Sequence, residues 1–158
     1  MKVLLQVAAP LRMAVPRSLR RTLVRKLAAA GRRVGVGTDA TLTLRITTDE
    51  EVAELHEEFM GLPGPTDVMS FPADSEIDWD TGSLGDVVIG WPFAVRQSAS
   101  RGQGPGAWEA ELIDLSLHGL AHLLGHDHGS RYEARSMLRF ERRLARRAAM
   151  PPPQRPYA

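Results

Sequence analysis

The stretch Leu117–Gly129, LHGLAHLLGHDHG, holds three of the chain's five histidines at ligand spacing. His118 and His122 are four residues apart, which on an α-helix stacks both imidazoles on one face. Gly125 then supplies a residue without a Cβ, able to stop the helix in a left-handed turn and bring His128 back towards the first two. The product is three neutral nitrogen donors around an open fourth position. A catalytic Zn²⁺ is held in this way, and the water it takes up falls to a pKa of about 7. The stretch therefore predicts a helix over Ala107–Leu124, anchored in the core by Leu112, Leu115, Leu120 and Leu123, with one metal ion at its end.

The extended zinc-protease pattern H-E-x-x-H-x-x-G-x-x-H matches at His118, His122, Gly125 and His128, but its Glu is replaced by Gly119. The metal-holding elements are kept while the general base of peptide hydrolysis is gone. Two other readings stand beside this one, polar surface histidines gathered on a helix and a purely structural zinc. A structural site normally closes with four Cys or His ligands, and the chain has no Cys. His126 is the available extra donor, or a group that supports the others. Asp127, between His126 and His128, is a candidate to steer an imidazole or to activate water. Glu111 and Asp114 precede His118 by seven and four residues, so they fall near the histidine stripe. Either orients a ligand, or both simply answer the helix dipole.

HGLAHLLGHDH (His118–His128), together with PTDVMSFP (Pro65–Pro72) and LGDVVI (Leu84–Ile89), resembles the three blocks of the YbeY family of bacterial endoribonucleases, and the likeness spans Leu42–Glu141. The resemblance implies a single-strand-specific, zinc-dependent endoribonuclease of ribosomal RNA processing, at the 16S 3′ end, and of ribosome quality control. It makes His118, His122 and His128 the ligands of one Zn²⁺, and single-stranded ribosomal RNA the substrate. The small ribosomal subunit is the implied partner, the location cytoplasmic, and neither DNA nor a membrane is expected. Many members carry an Arg just before the Gly that precedes the PT(D/N)VLSF block. In EEFMGLPGPTDVMSF that place holds Met60, so no role of that Arg carries over. The rival classes are a metzincin-like metalloprotease with a displaced base and a non-catalytic, zinc-stabilised ribosome assembly factor.

At 158 residues, 43% hydrophobic and 25% charged, the chain is sized for one domain with a full core. Without Cys it has no disulfide framework, no Cys-based finger and no thiol catalysis, in keeping with a reducing cytoplasm. A net charge of +1 conceals a polarised distribution: +9 over residues 1–33, −14 over 34–130 and +6 beyond. Two basic segments outside the metal block would grip a polyanion in a salt-dependent, sequence-blind way, or are simply solvated helix faces. Val3–Pro10 is too short to span a bilayer, and with Lys2 alone before it makes a poor signal peptide. It reads as the first strand.

Ser18–Ala30 places Leu19, Leu23, Val24 and Leu27 at helical spacing and ends at Gly31. Thr41–Thr47 alternates Leu42, Leu44 and Ile46 with polar residues, as a half-buried strand does. Thr48 opens a helix through a capping box with Glu51, its buried stripe being Val52, Leu55 and Phe59 and its end Gly61–Pro65. Strands follow at Asp67–Phe71 and Leu84–Ile89, around an acidic loop (Ala73–Gly82) that lacks the Gly and Glu of a calcium-binding loop. Trp91–Ser100 is a helix introduced by Pro92, and Gly102–Gly106 a flexible link. The last helix, Ser130–Arg147, is capped by Ser130 and turns Met137, Leu138, Phe140 and Leu144 inward, with Met137 as core packing. The expected architecture is α+β: a small mixed four-stranded sheet packed against about five helices, with a metzincin-like zinc helix at the centre. It forms a single domain, residues 1–148, and a Pro-rich disordered tail occupies 149–158.

Overall fold

The computed structural model describes residues 1–73, 80–100 and 107–147. The heart of the acidic loop, the Gly-rich link and the Pro-rich tail lie outside the described residues. The chain runs β1 (Lys2–Val7), a short 3-10 turn (Ala9–Leu11), α1 (Arg17–Arg33), β2 (Thr41–Thr47), α2 (Asp49–Met60), β3 (Val68–Pro72), β4 (Ser83–Gly90), α3 (Trp91–Ser100), α4 (Ala107–Leu123) and α5 (Arg131–Arg147). The strands form one sheet in the order β1-β2-β4-β3, parallel except for β3, which runs antiparallel to β4. This is the α+β architecture with a mixed four-stranded sheet that the sequence predicts.

Strand alternation divides the sheet into two faces of unequal size. Leu42, Leu44 and Ile46 of β2 and Val87 and Ile89 of β4 join the main core with α1 and α4. Val88 and Met69 face the other way and form a smaller cluster with Val52 of α2. Arg45, also turned towards α2, is held by both carboxylate oxygens of Glu51 at 2.5 and 2.7 Å. Here the capping-box expectation is half met. The Thr48 hydroxyl accepts from the Glu51 N–H at 3.5 Å, but the Glu51 carboxylate takes Arg45 and the Thr47 hydroxyl instead of reaching back to the cap. A complete box forms at the head of α5, where Ser130 and Glu133 exchange hydrogen bonds of 3.2 and 2.8 Å.

Two further expectations are corrected. Helix α1 passes through Gly31, whose missing side chain admits Met1: a Cβ there would stand 2.5 Å from the Met1 sulfur. The residue that terminates it is Gly35, at φ 101°, with the Val36 N–H returning to the Gly31 carbonyl. Phe59, at the helical spacing of the buried stripe, is instead 57% exposed, because the last turn of α2 projects past the small cluster beneath it.

Helix α4 is the hub, in contact with β3, β4, α1, α3 and α5. Its four predicted anchors, Leu112, Leu115, Leu120 and Leu123, are fully buried. Each such leucine contributes about 1.5–3 kcal/mol relative to exposure. The histidine-bearing end of the helix is thereby fixed by the best-packed part of the molecule.

Candidate metal centre

The last turn of α4 closes as a Schellman motif. Gly125 takes φ 83°, its N–H donates to the His122 carbonyl at 2.9 Å, and the His126 N–H donates to the Ala121 carbonyl at 3.0 Å. The reversal carries His128 back over the helix end. The ring centroids of His118 and His122 are 4.7 Å apart, those of His122 and His128 5.1 Å, and those of His118 and His128 5.6 Å. One nitrogen from each ring lies within 4.8 Å of the other two. Donors around a tetrahedral zinc stand about 3.4 Å apart, so the three nitrogens are gathered to nearly a ligand separation. His118 is buried, His122 half-buried and His128 exposed, so the cluster opens to one side. It opens into a cleft of about 840 Å³ that β3 and the end of α2 also line.

The electrostatics suit a cation. Burial in the first place, and then the neighbouring His118 and His128, push the pKa of His122 down to about 4. At neutral pH it is an uncharged ring with a lone pair to give. His118 is oriented from outside α4: its Nδ1 donates to Oε1 of Glu141 on α5 at 2.6 Å, with both side chains buried. Because a carboxylate accepts only, the proton is fixed on Nδ1 and Nε2 keeps its lone pair for a ligand. The other Glu141 oxygen is buried with no hydrogen-bond partner among the described residues.

Reading the sequence by spacing misses Glu141, although a signal for it exists. Ala134, Met137, Leu144 and Ala145 are the buried apolar residues of α5 among those described, and Glu141, buried with them, interrupts that stripe as its one acid. His126 does not join the triad. It lies flat on Phe140 of α5, with ring centroids 3.9 Å apart and planes at 24°. Burial, then the adjacent Arg143, lowers its pKa. Asp127 is exposed and accepts the His128 N–H at 2.7 Å, shaping the turn, while its Oδ1 stands 3.9 Å from His122 Nδ1. Glu111 is buried lower on α4, where the Gln97 amide faces two carboxylates and is assigned with its nitrogen donating to Glu111 at 3.1 Å and to Asp67 at 3.2 Å. Asp114 is half-buried one turn before His118.

Gly119 is where the helix meets the sheet. A Cβ at this position would stand 2.5 and 2.8 Å from the methyls of buried Val87 and 3.2 Å from the Ser70 hydroxyl, which itself donates to the Gly119 carbonyl at 3.4 Å. A glutamate has no room here. Gly119→Ala is expected to lower stability by about 1–3 kcal/mol through overpacking, read as a fall in the thermal midpoint.

This geometry can be set against known proteins. The family profile described as Endoribonuclease YbeY matches residues 12–149. The chain belongs to the YbeY family. It is 43% identical over 114 residues to Endoribonuclease YbeY of Bifidobacterium animalis subsp. lactis, an alignment covering 69% of this chain and 61% of that protein. It is 42% identical over 113 residues to the Cutibacterium acnes protein of the same name, covering 68% and 71%. With the Mycobacterium leprae protein it shares 37% over 123 residues, covering 71% and 66%. The chain thus spans rather less than two thirds of the first of these relatives. The solution structure of TM1509 from Thermotoga maritima superposes with a TM-score of 0.58 at 18% identity, covering 98% of this chain and 99% of that one, which establishes the likeness of fold. Among the described residues no helix is long and apolar enough to cross a membrane.

Proposed function

We propose that this YbeY-family chain is a zinc-dependent endoribonuclease that cuts single-stranded RNA, with His118, His122 and His128 as the ligands of one Zn²⁺. The carrying observation is the convergence of three imidazole nitrogens, within 4.8 Å of one another, at the mouth of an open cleft. The donor set fits the ion: neutral rings, one oriented by a carboxylate, and no fourth protein ligand contributed by His126. Zinc in such a site polarises a phosphoryl oxygen and acidifies water.

The chain's own groups then have distinct tasks. Glu141 holds the His118 ring in one orientation. Asp127, on the cleft and exposed, is the carboxylate available to move a proton or orient water, and a 2′-hydroxyl of RNA is an alternative nucleophile. Exposed arginines supply the grip on phosphate: Arg17, Arg21 and Arg25 on α1, and Arg135, Arg139 and Arg142 on α5, two helices that pack against each other. The physiological setting of this reading is 16S ribosomal RNA 3′-end maturation and ribosome quality control on the small subunit, in the cytoplasm.

Peptide hydrolysis by the zinc-protease route is disfavoured, since position 119 has neither the acid nor space for one. Labelled single-stranded RNA and casein, each incubated with the purified chain with and without chelator, test the proposal. RNA cleavage that disappears on chelation is the expected result. Casein digestion, or tight RNA binding with no cleavage, would replace it with the protease or the assembly-factor reading.

A further inference from the structure

The end of α2 builds an apolar wall into the histidine cleft. Phe59 and Met60, 57% and 62% exposed, occupy its final turn and line the same cleft as His118, His122 and His128. Phe71 of β3 props the Phe59 ring edge-on, with centroids 4.9 Å apart and planes at 71°. The turn beneath is also braced: α2 stops at Gly61 with φ 66°, and Nδ1 of His56 bonds the Gly64 carbonyl at 2.8 Å. A large aromatic ring held at a fixed angle with half its surface open to water costs hydrophobic free energy in the unbound chain. Such a surface, set in a cleft beside the histidines, suits a flat apolar partner.

The identity of that partner follows from charge. Among the described residues, the cleft is lined by no Lys or Arg, while the arginines stand on α1 and α5 outside it. A polyanion gripped by those helices, with its scissile phosphate at the histidines, meets no cation on the wall itself, and what it can offer the wall is the face of an unpaired base. We infer that Phe59, backed by Phe71 and flanked by Met60, is a stacking platform for one unpaired nucleobase of the RNA at the histidine cleft. The inference rests on the endoribonuclease reading and adds to it a physical reason for preferring single strands: a base paired in a duplex has no free face to lay on the ring. Phe59 offers no hydrogen-bonding atoms, so the subsite tolerates any base.

The test uses the full chain with chelator present to prevent turnover, and a single-stranded RNA carrying 2-aminopurine. Binding is expected to change the aminopurine emission as the base leaves its neighbours for the ring. Phe59→Ala should raise the Kd about 5- to 150-fold, the equivalent of about 1–3 kcal/mol for one stacked base, whereas Phe59→Trp should keep wild-type affinity. Because Phe59 is exposed, both variants are expected to fold, which their thermal midpoints verify. An RNA with abasic positions should bind wild type and Phe59→Ala alike. Equal affinity of Phe59→Ala and wild type for the intact RNA, undiminished binding of the abasic RNA by wild type, or no RNA binding at all would overturn the platform. Cleavage by the metal-loaded wild type is scored separately. A chain that cuts RNA yet is indifferent to Phe59→Ala loses the platform and keeps the nuclease reading, and one that binds through Phe59 but never cuts does the reverse.

Discussion

His122→Ala is expected to remove bound zinc and RNA cleavage together. His122 is the middle ring of the cluster, with its two partner centroids at 4.7 and 5.1 Å, so its loss leaves two donors that are the most widely separated pair. The drop in metal affinity should exceed the about 10- to 100-fold typical of removing a group that only supports a ligand. Metal content after gel filtration and cleavage of single-stranded RNA measure the two losses. The metal-free fold should survive, because the ring is half-buried and the core anchors of α4 lie on its other residues. A variant that retains stoichiometric zinc, or that cuts RNA at the wild-type rate without metal, would sink the assignment of these histidines.

Glu141→Ala should weaken zinc binding by about 10- to 100-fold although Glu141 is not among the three converging rings. The carboxylate fixes which nitrogen of His118 carries the proton, and it places negative charge one hydrogen bond away from the ring that would hold the ion. Glu141→Gln keeps an accepting oxygen at nearly the same place but removes the charge, so an intermediate loss is expected. The metal-free chain gives the separating readout. One Glu141 oxygen is buried without a hydrogen-bond partner among the described residues, a cost that Gln replaces with that of a neutral amide. The metal-free Gln variant should therefore melt no lower than the wild type while binding zinc less tightly. If metal affinity measured by chelator competition is unchanged in both variants, Glu141 is a packing residue and no more.

The features legible in the sequence are those set by short-range geometry. The four-residue spacing of His118 and His122, the Gly125 stop and the caps at Thr48 and Ser130 each involve residues within one or two turns of each other. What escaped depends on how separate elements are brought together by packing. Glu141 finds His118 across 23 positions, Arg45 finds Glu51 only because β2 turns that residue towards α2, and the β1-β2-β4-β3 order joins strands across helical crossovers. Phe59 shows the limit from the opposite side: its helical phase is that of the buried stripe, but burial also requires something beneath the helix at that point. The Gly119 substitution was visible as a missing acid. The close contact with Val87 and Ser70 is not legible there, since it depends on how closely a helix lies on a sheet.

The bond from Glu141 to His118 has a temporal side as well. Translation delivers all three imidazoles before it delivers α5, because the carboxylate that steadies the first of them lies further along the polypeptide. If these rings hold zinc, a nascent chain would hold it less firmly until α5 has emerged and its carboxylate has docked on the first ring.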